Sequence, residues 1–154
     1  MKKIFSLIAI FAIAFVQQGF AQDSSKSVLL NSYYDLKDAL VKGNSNAASA
    51  GATELVKNIT GLENSAAVEE SRAALIKDAT AISVTKDIKI QRQRFASLSA
   101  NMLILAKRGK LSTGPVYQQY CPMQNASWLS NSKTIKNPYY GNAMLSCGSV
   151  KATL

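Results

Sequence analysis

Between Val28 and Lys42 the apolar residues Leu29, Tyr33, Leu36 and Leu40 return at steps of four, three and four, which places them on one face of a helix. Gly43 is a stop signal, and the "NSN" that follows can start a second helix. That second segment, Ala47 to Ile59, carries Ala48, Ala52, Leu55 and Ile59 on one stripe, with small residues that let helices approach closely. A third pattern runs from Ala66 to Ser83 on a seam of Val68, Leu75 and Ile82, with Glu69 and Glu70 in the first turn, where the helix dipole favours acids. The fourth and strongest, Lys86 to Arg108, lines up Ile88, Phe95, Leu98, Met102 and Leu105 and ends on Lys107, Arg108 and Gly109.

Four amphipathic helices with short connections can bury one another without a sheet, so the expected fold is all-α, an up-and-down four-helix bundle over about 28–108. The pattern changes at Leu111. The remaining segment, 111–154, holds Trp128, Tyr117, Tyr120, Tyr139, Tyr140, all three prolines and both cysteines. Each proline turns its preceding residue away from helical geometry, and "NPYYG" reads as a tight turn. An irregular, aromatic- and cysteine-containing C-terminal cap is expected there, with a little strand around Met144 to Val150.

Composition adds an address. Lys2 and Lys3, an apolar run of about 13 residues and "GFA" before Gln22 read as a signal peptide over 1–21, too short to span a bilayer. The expectation is an exported chain, periplasmic or secreted and not transmembrane once the signal is removed, with a single helical domain over 22–154. Without the two signal lysines the chain has 16 basic and nine acidic side chains, net +7. All nine acids lie at or before Asp87, whereas 88–154 carries nine bases and no acid. Such a one-sided field reads first as a solubilising surface and otherwise as a face for anionic lipid, glycan or an acidic partner; export removes the usual nucleic-acid substrate.

Histidine is absent, which excludes imidazole metal sites and histidine-based triads. No phosphate loop, nucleophile elbow or cofactor motif occurs, and Glu69, Glu70, Asp78 and Asp87 read as a solvated helix face, so no enzymatic activity is expected. Arg92 and Arg94 read as surface or buttressing groups, and Trp128 with Tyr139 and Tyr140 either as an aromatic ligand surface or as buried packing. Two words remain, "YCPM" at Tyr120–Met123 and "MLSCG" at Met144–Gly148. An exported domain with two cysteines can oxidise Cys121 and Cys147 to a disulfide, worth roughly 3 to 4 kcal/mol in the chain-entropy model. Alternatively Cys121, Met123, Met144 and Cys147 form a soft-metal site, because thiolate and thioether select copper(I) over hard cations. Either use requires the two words to meet in space, and each excludes the other at one moment.

The words "VYQQYCPM", "WLSNSKTIKNPYYG" and "MLSCG", with the upstream "DIKIQRQRFASLS", resemble the family called domain of unknown function 3347. Its Cys-Pro-Met word falls on Cys121, Pro122 and Met123, its Trp-Leu-Ser word on Trp128, Leu129 and Ser130, and its Asn-Pro-Tyr turn on Asn137, Pro138 and Tyr139. Its terminal Met and Cys-Gly fall on Met144, Cys147 and Gly148, and its Gln-Arg…Phe stretch on Gln91, Arg92 and Phe95. The chain departs from the pattern in having only "QNAS" between Met123 and Trp128, where members carry a longer insertion. The resemblance extends over nearly the whole chain after the signal and implies a mostly helical periplasmic or secreted domain. Such domains occur alone or attached to adaptor subunits of copper- and silver-type efflux systems. It implies a role in metal export or homeostasis, with such an adaptor or another envelope protein as partner. The alternative is a disulfide-stapled, non-catalytic interaction domain.

Overall fold

The computed structural model describes residues 24–154, so the expected signal peptide lies outside the described residues. Helix α1 covers 24–41 of them, followed by α2 (Ser45–Thr60), α3 (Ala66–Ser83) and α4 (Ile88–Gly109). The starts of α2, α3 and α4 are capped: Asn44, in the expected "NSN" start, Ser65 and Asp87 use a side-chain oxygen to accept a first-turn amide, from Ala47, Val68 and both Lys89 and Ile90 respectively. The predicted stripes are the core. Leu29, Tyr33, Leu36 and Leu40 of α1, Ala48, Ala52, Leu55 and Ile59 of α2, and Phe95, Leu98 and Met102 of α4 are all fully buried. Among the described residues no helix is long and apolar enough to cross a membrane.

Polar side chains, half-buried or buried, fix how the helices join. Arg72 on α3 reaches the C-terminal carbonyls of α2, donating to Ile59 O at 2.7 Å and Thr60 O at 3.2 Å, and also to Leu62 O at 2.7 Å. A cation there meets the negative end of the helix dipole. Gln91 on α4 is fully buried, and its amide donates to Ser45 O and Thr85 O at 3.0 and 2.8 Å, tying the starts of α2 and α4 to the end of α3.

The all-α expectation needs correction at the tail. Three strands, β1 (Tyr117–Cys121), β2 (Ala126–Ser130) and β3 (Ser149–Thr153), form an antiparallel sheet in the order β2-β1-β3, with a short 3-10 helix at Gly141–Met144. The chain is therefore mostly helical with a small sheet, and Met144 lies in the 3-10 helix rather than in a strand. The reason is local. Once the prolines forbid helix, the aromatic and β-branched residues between them favour extended chain. The short "QNAS" link lets the chain turn back at once: the hairpin turn is Pro122–Asn125, Ala126 and Ser127 are already in β2 with Ala126 paired to Cys121, and Asn125 takes the left-handed conformation (φ 51°).

The sheet is docked on the helices by aromatic contacts. Tyr33 of α1 stacks on Phe95 of α4 with centroids 5.3 Å apart; Tyr139 lies 6.0 Å from Phe95 and 5.9 Å from Trp128. The Tyr33 hydroxyl also shares a 2.7 Å hydrogen bond with Ser99 Oγ and accepts from Leu129 N on β2 at 3.2 Å, so one α1 side chain bonds both α4 and the sheet.

Burial raises the phenol pKa values of Tyr33, Tyr34 and Tyr139 well above the ordinary 10.0, and for Tyr33 the hydrogen bond with Ser99 offsets only part of that. An acid raised in the folded state contributes stability that is complete below its unfolded value and is lost as pH climbs through the folded one. An alkaline ultraviolet titration should therefore find three of the six tyrosines protected until the helical signal collapses, and ionising with that collapse. Smooth ionisation of all six with helicity intact would contradict this packing.

Candidate metal centre

The two cysteines meet. Cys121 ends β1 and is fully buried, while Cys147 follows the 3-10 helix and is half-buried. Their sulfurs stand 4.0 Å apart as free thiols. The link between them is the β1–β3 pairing, whose register brings Tyr120 opposite Ser149 and so carries residue 147 back to the end of β1.

Two residues hold this approach. Gly148 has φ +149°, and a Cβ there would stand 2.9 Å from both Trp128 Cη2 and the Tyr120 carbonyl oxygen. Only glycine permits the chain to pass so close to β1 directly after Cys147. Asn137 is fully buried: its amide nitrogen donates to Cys147 O at 2.8 Å, and its side-chain oxygen accepts from Tyr139 N at 2.9 Å and Tyr140 N at 3.3 Å. The "NPYYG" turn is thereby clamped to the backbone of Cys147. Sequence reasoning read Asn137 only as a turn residue; its place at the head of a proline-aromatic turn ten residues before a cysteine was the available signal.

Burial pushes the Cys147 thiol pKa up from its ordinary 9.0, and the Cys121 sulfur adds to this by hydrogen bonding and by charge. The group stays protonated at neutral pH, the opposite of an activated nucleophile. It becomes a strong ligand only when something displaces its proton.

The methionines are placed differently. Met123 sits in the hairpin turn between β1 and β2 and is 64% exposed, whereas Met144 ends the 3-10 helix, half-buried and three residues before Cys147. Cys147 N donates to Met144 O at 3.1 Å, which ties those two backbones together. Met102, as expected, is core. No group of three or more Cys, Asp or Glu side chains suited to a metal occurs among the described residues, and thioether is the soft donor left beside the two thiols.

The remaining polar candidates have structural uses. Glu69 and Glu70 pair with Arg72 and Arg108, and Asp87 caps α4. Asp78 is not on a solvated face: it is buried and accepts from Ser97 Oγ at 2.5 Å. Arg92 buttresses the end of α1, donating from Nη2 to Leu40 O at 2.8 Å. Trp128 and Tyr139 are 1% and 5% exposed, which makes them packing rather than an open aromatic surface.

No curated protein and no solved structure matches the chain. A family model does, over residues 29–114, which is more than half of the sequence and spans the four helices. The match is shorter than the resemblance suggested. It contains "DIKIQRQRFASLS", with Gln91 and Phe95 buried and Arg92 half-buried, and it stops before the sheet and both cysteine words. On the helical part, from Leu29 through the end of α4, the chain belongs to the family described as protein of unknown function (DUF3347).

Proposed function

We propose that the protein is a periplasmic or secreted soft-metal module, binding copper(I) through Cys121 and Cys147 and serving metal export or homeostasis without catalysis. The observation that carries this reading is the 4.0 Å separation of the two sulfurs. Two metal–thiolate bonds of about 2.3 Å fit across that gap with an S–metal–S angle near 120°, about right for three-coordination. Two soft anionic donors without imidazole or a nearby carboxylate favour copper(I) over hard cations. Met144 and Met123 are the thioether candidates for the third position. A heavy-metal efflux adaptor or another envelope protein is the partner this role calls for, and the four helices supply its scaffold as an up-and-down bundle.

The test is an anaerobic copper(I) titration of reduced protein against a competing chelator. Wild type should bind one equivalent, and C121S/C147S should bind far more weakly; equal affinities would sink the proposal. Because binding expels the raised Cys147 proton, affinity should climb by at least about tenfold per pH unit below that pKa. A flat pH profile would mean that the thiol is not a ligand.

The same proximity favours a second reading, a disulfide-stapled domain that recognises another envelope component. Alkylating thiols at the moment of cell lysis and weighing the intact protein separates the two. Both cysteines alkylated supports the metal module; a quantitative disulfide supports the staple.

A further inference from the structure

A cavity of about 330 Å³ opens between the start of α4, the β1–β2 hairpin and the "NPYYG" turn, lined by Lys89, Arg92, Gln93, Gln124, Tyr139 and Tyr140. Its charge is uncompensated. Neither Lys89 nor Arg92 has an ion-pair partner among the described residues, and the chain holds no acid beyond Asp87. Asp87 is occupied as the cap of α4, where one carboxylate oxygen accepts from Lys89 N and Ile90 N. Arg92 bonds Leu40 O through Nη2, but its Nε is buried with no partner. Gly141 closes over it, since a Cβ there would lie 2.3 Å from Nη2. Burial lowers the pKa of this guanidinium, as expected for a cation held without an anion.

We propose that this cavity binds a small organic carboxylate, with Lys89 and Arg92 supplying charge, Gln93 and Gln124 amide donors, and the half-buried Tyr140 flanking the organic body above the packed Tyr139. One guanidinium and one ammonium match a monoanion. Phosphate fits less well, because the α4 amides that would serve it are already taken by Asp87. The volume is at the lower end of small-molecule sites, and Tyr140 with Ala143 gives the ligand an apolar wall. This assignment is independent of the sulfur pair, although Gln124 and Ala143, which also lines the cavity, adjoin Met123 and Met144 in sequence.

The test is a titration of metal-free protein followed by nuclear magnetic resonance, with benzoate as the probe and inorganic phosphate as the comparison. Benzoate should produce saturable shifts at Tyr139, Tyr140 and the first turns of α4. The K89Q substitution should weaken them by about tenfold, the effect of losing one charged contact. Lys89 is exposed and without an ion pair, so the variant keeps its fold. Absence of saturable shifts, a K89Q curve that overlays wild type, or phosphate binding as tightly as benzoate would overturn the assignment.

Discussion

Replacing Cys147 by serine is expected to weaken copper(I) binding by on the order of a hundredfold or more while leaving the protein folded. A structural four-ligand thiolate or imidazole site is worth roughly 10–16 kcal/mol, so one ligand accounts for about a quarter of that. A hydroxyl of similar size supplies a harder, protonated oxygen that copper(I) does not favour. The fold should survive because the contacts that hold this position belong to the backbone: the Cys147 carbonyl accepts from Asn137, and its amide donates to Met144 O. Competition with a chelator measures the loss, and circular dichroism checks the fold. An affinity within a few-fold of wild type would remove Cys147 from the site.

Gly148→Ala should have the larger effect on stability, about 3 kcal/mol. The backbone there is at φ +149°, a region that residues with a Cβ occupy at a cost of about 1–3 kcal/mol. The added methyl would also meet Trp128 Cη2 and the Tyr120 carbonyl oxygen at 2.9 Å, and crowding a packed core costs about 1–3 kcal/mol more. Trp128 is itself packed edge-on to Tyr139, so relief by moving the indole would disturb the aromatic stack that docks the sheet on α4. Chemical denaturation should show the loss, with a change in tryptophan emission below the unfolding transition. A variant as stable as wild type would mean that the chain after Cys147 approaches β1 less closely.

The helical half was legible because its signal repeats. The stripe on α3 predicted Ala66–Ser83, which is the helix found, and the apolar positions of α1, α2 and α4 carried enough period to assign the core. The sheet was not legible for a definite reason. β1 reads "YQQYC", and its most buried polar residue, Gln119, gives no apolar alternation; its amide nitrogen donates outside the strand, to Ser132 O at 2.8 Å and Thr134 O at 3.3 Å. The short "QNAS" link looked like a lost insertion, but the pairing of Cys121 with Ala126 makes its first half the end of a hairpin turn and its second half the start of β2.

The site was legible in part. The sequence named Cys121 and Cys147 as the cysteine pair and required them to converge without showing that they do; the β1–β3 pairing brings them together. What could not be read was the difference between the two methionines, since exposure in a turn and partial burial beside Cys147 depend on the sheet. The long-range polar contacts were equally hidden. Asn137 to Cys147 and Arg92 to Leu40 join residues whose local sequence says only turn and helix surface.

The most direct measurement is copper K-edge X-ray absorption on protein loaded anaerobically with one equivalent of copper(I). The expected result is a first shell with sulfur at about 2.3 Å, as for metal–thiolate bonds, which disappears in C121S/C147S. A shell of nitrogen or oxygen, or a spectrum that the double substitution leaves unchanged, would contradict a metal held between Cys121 and Cys147.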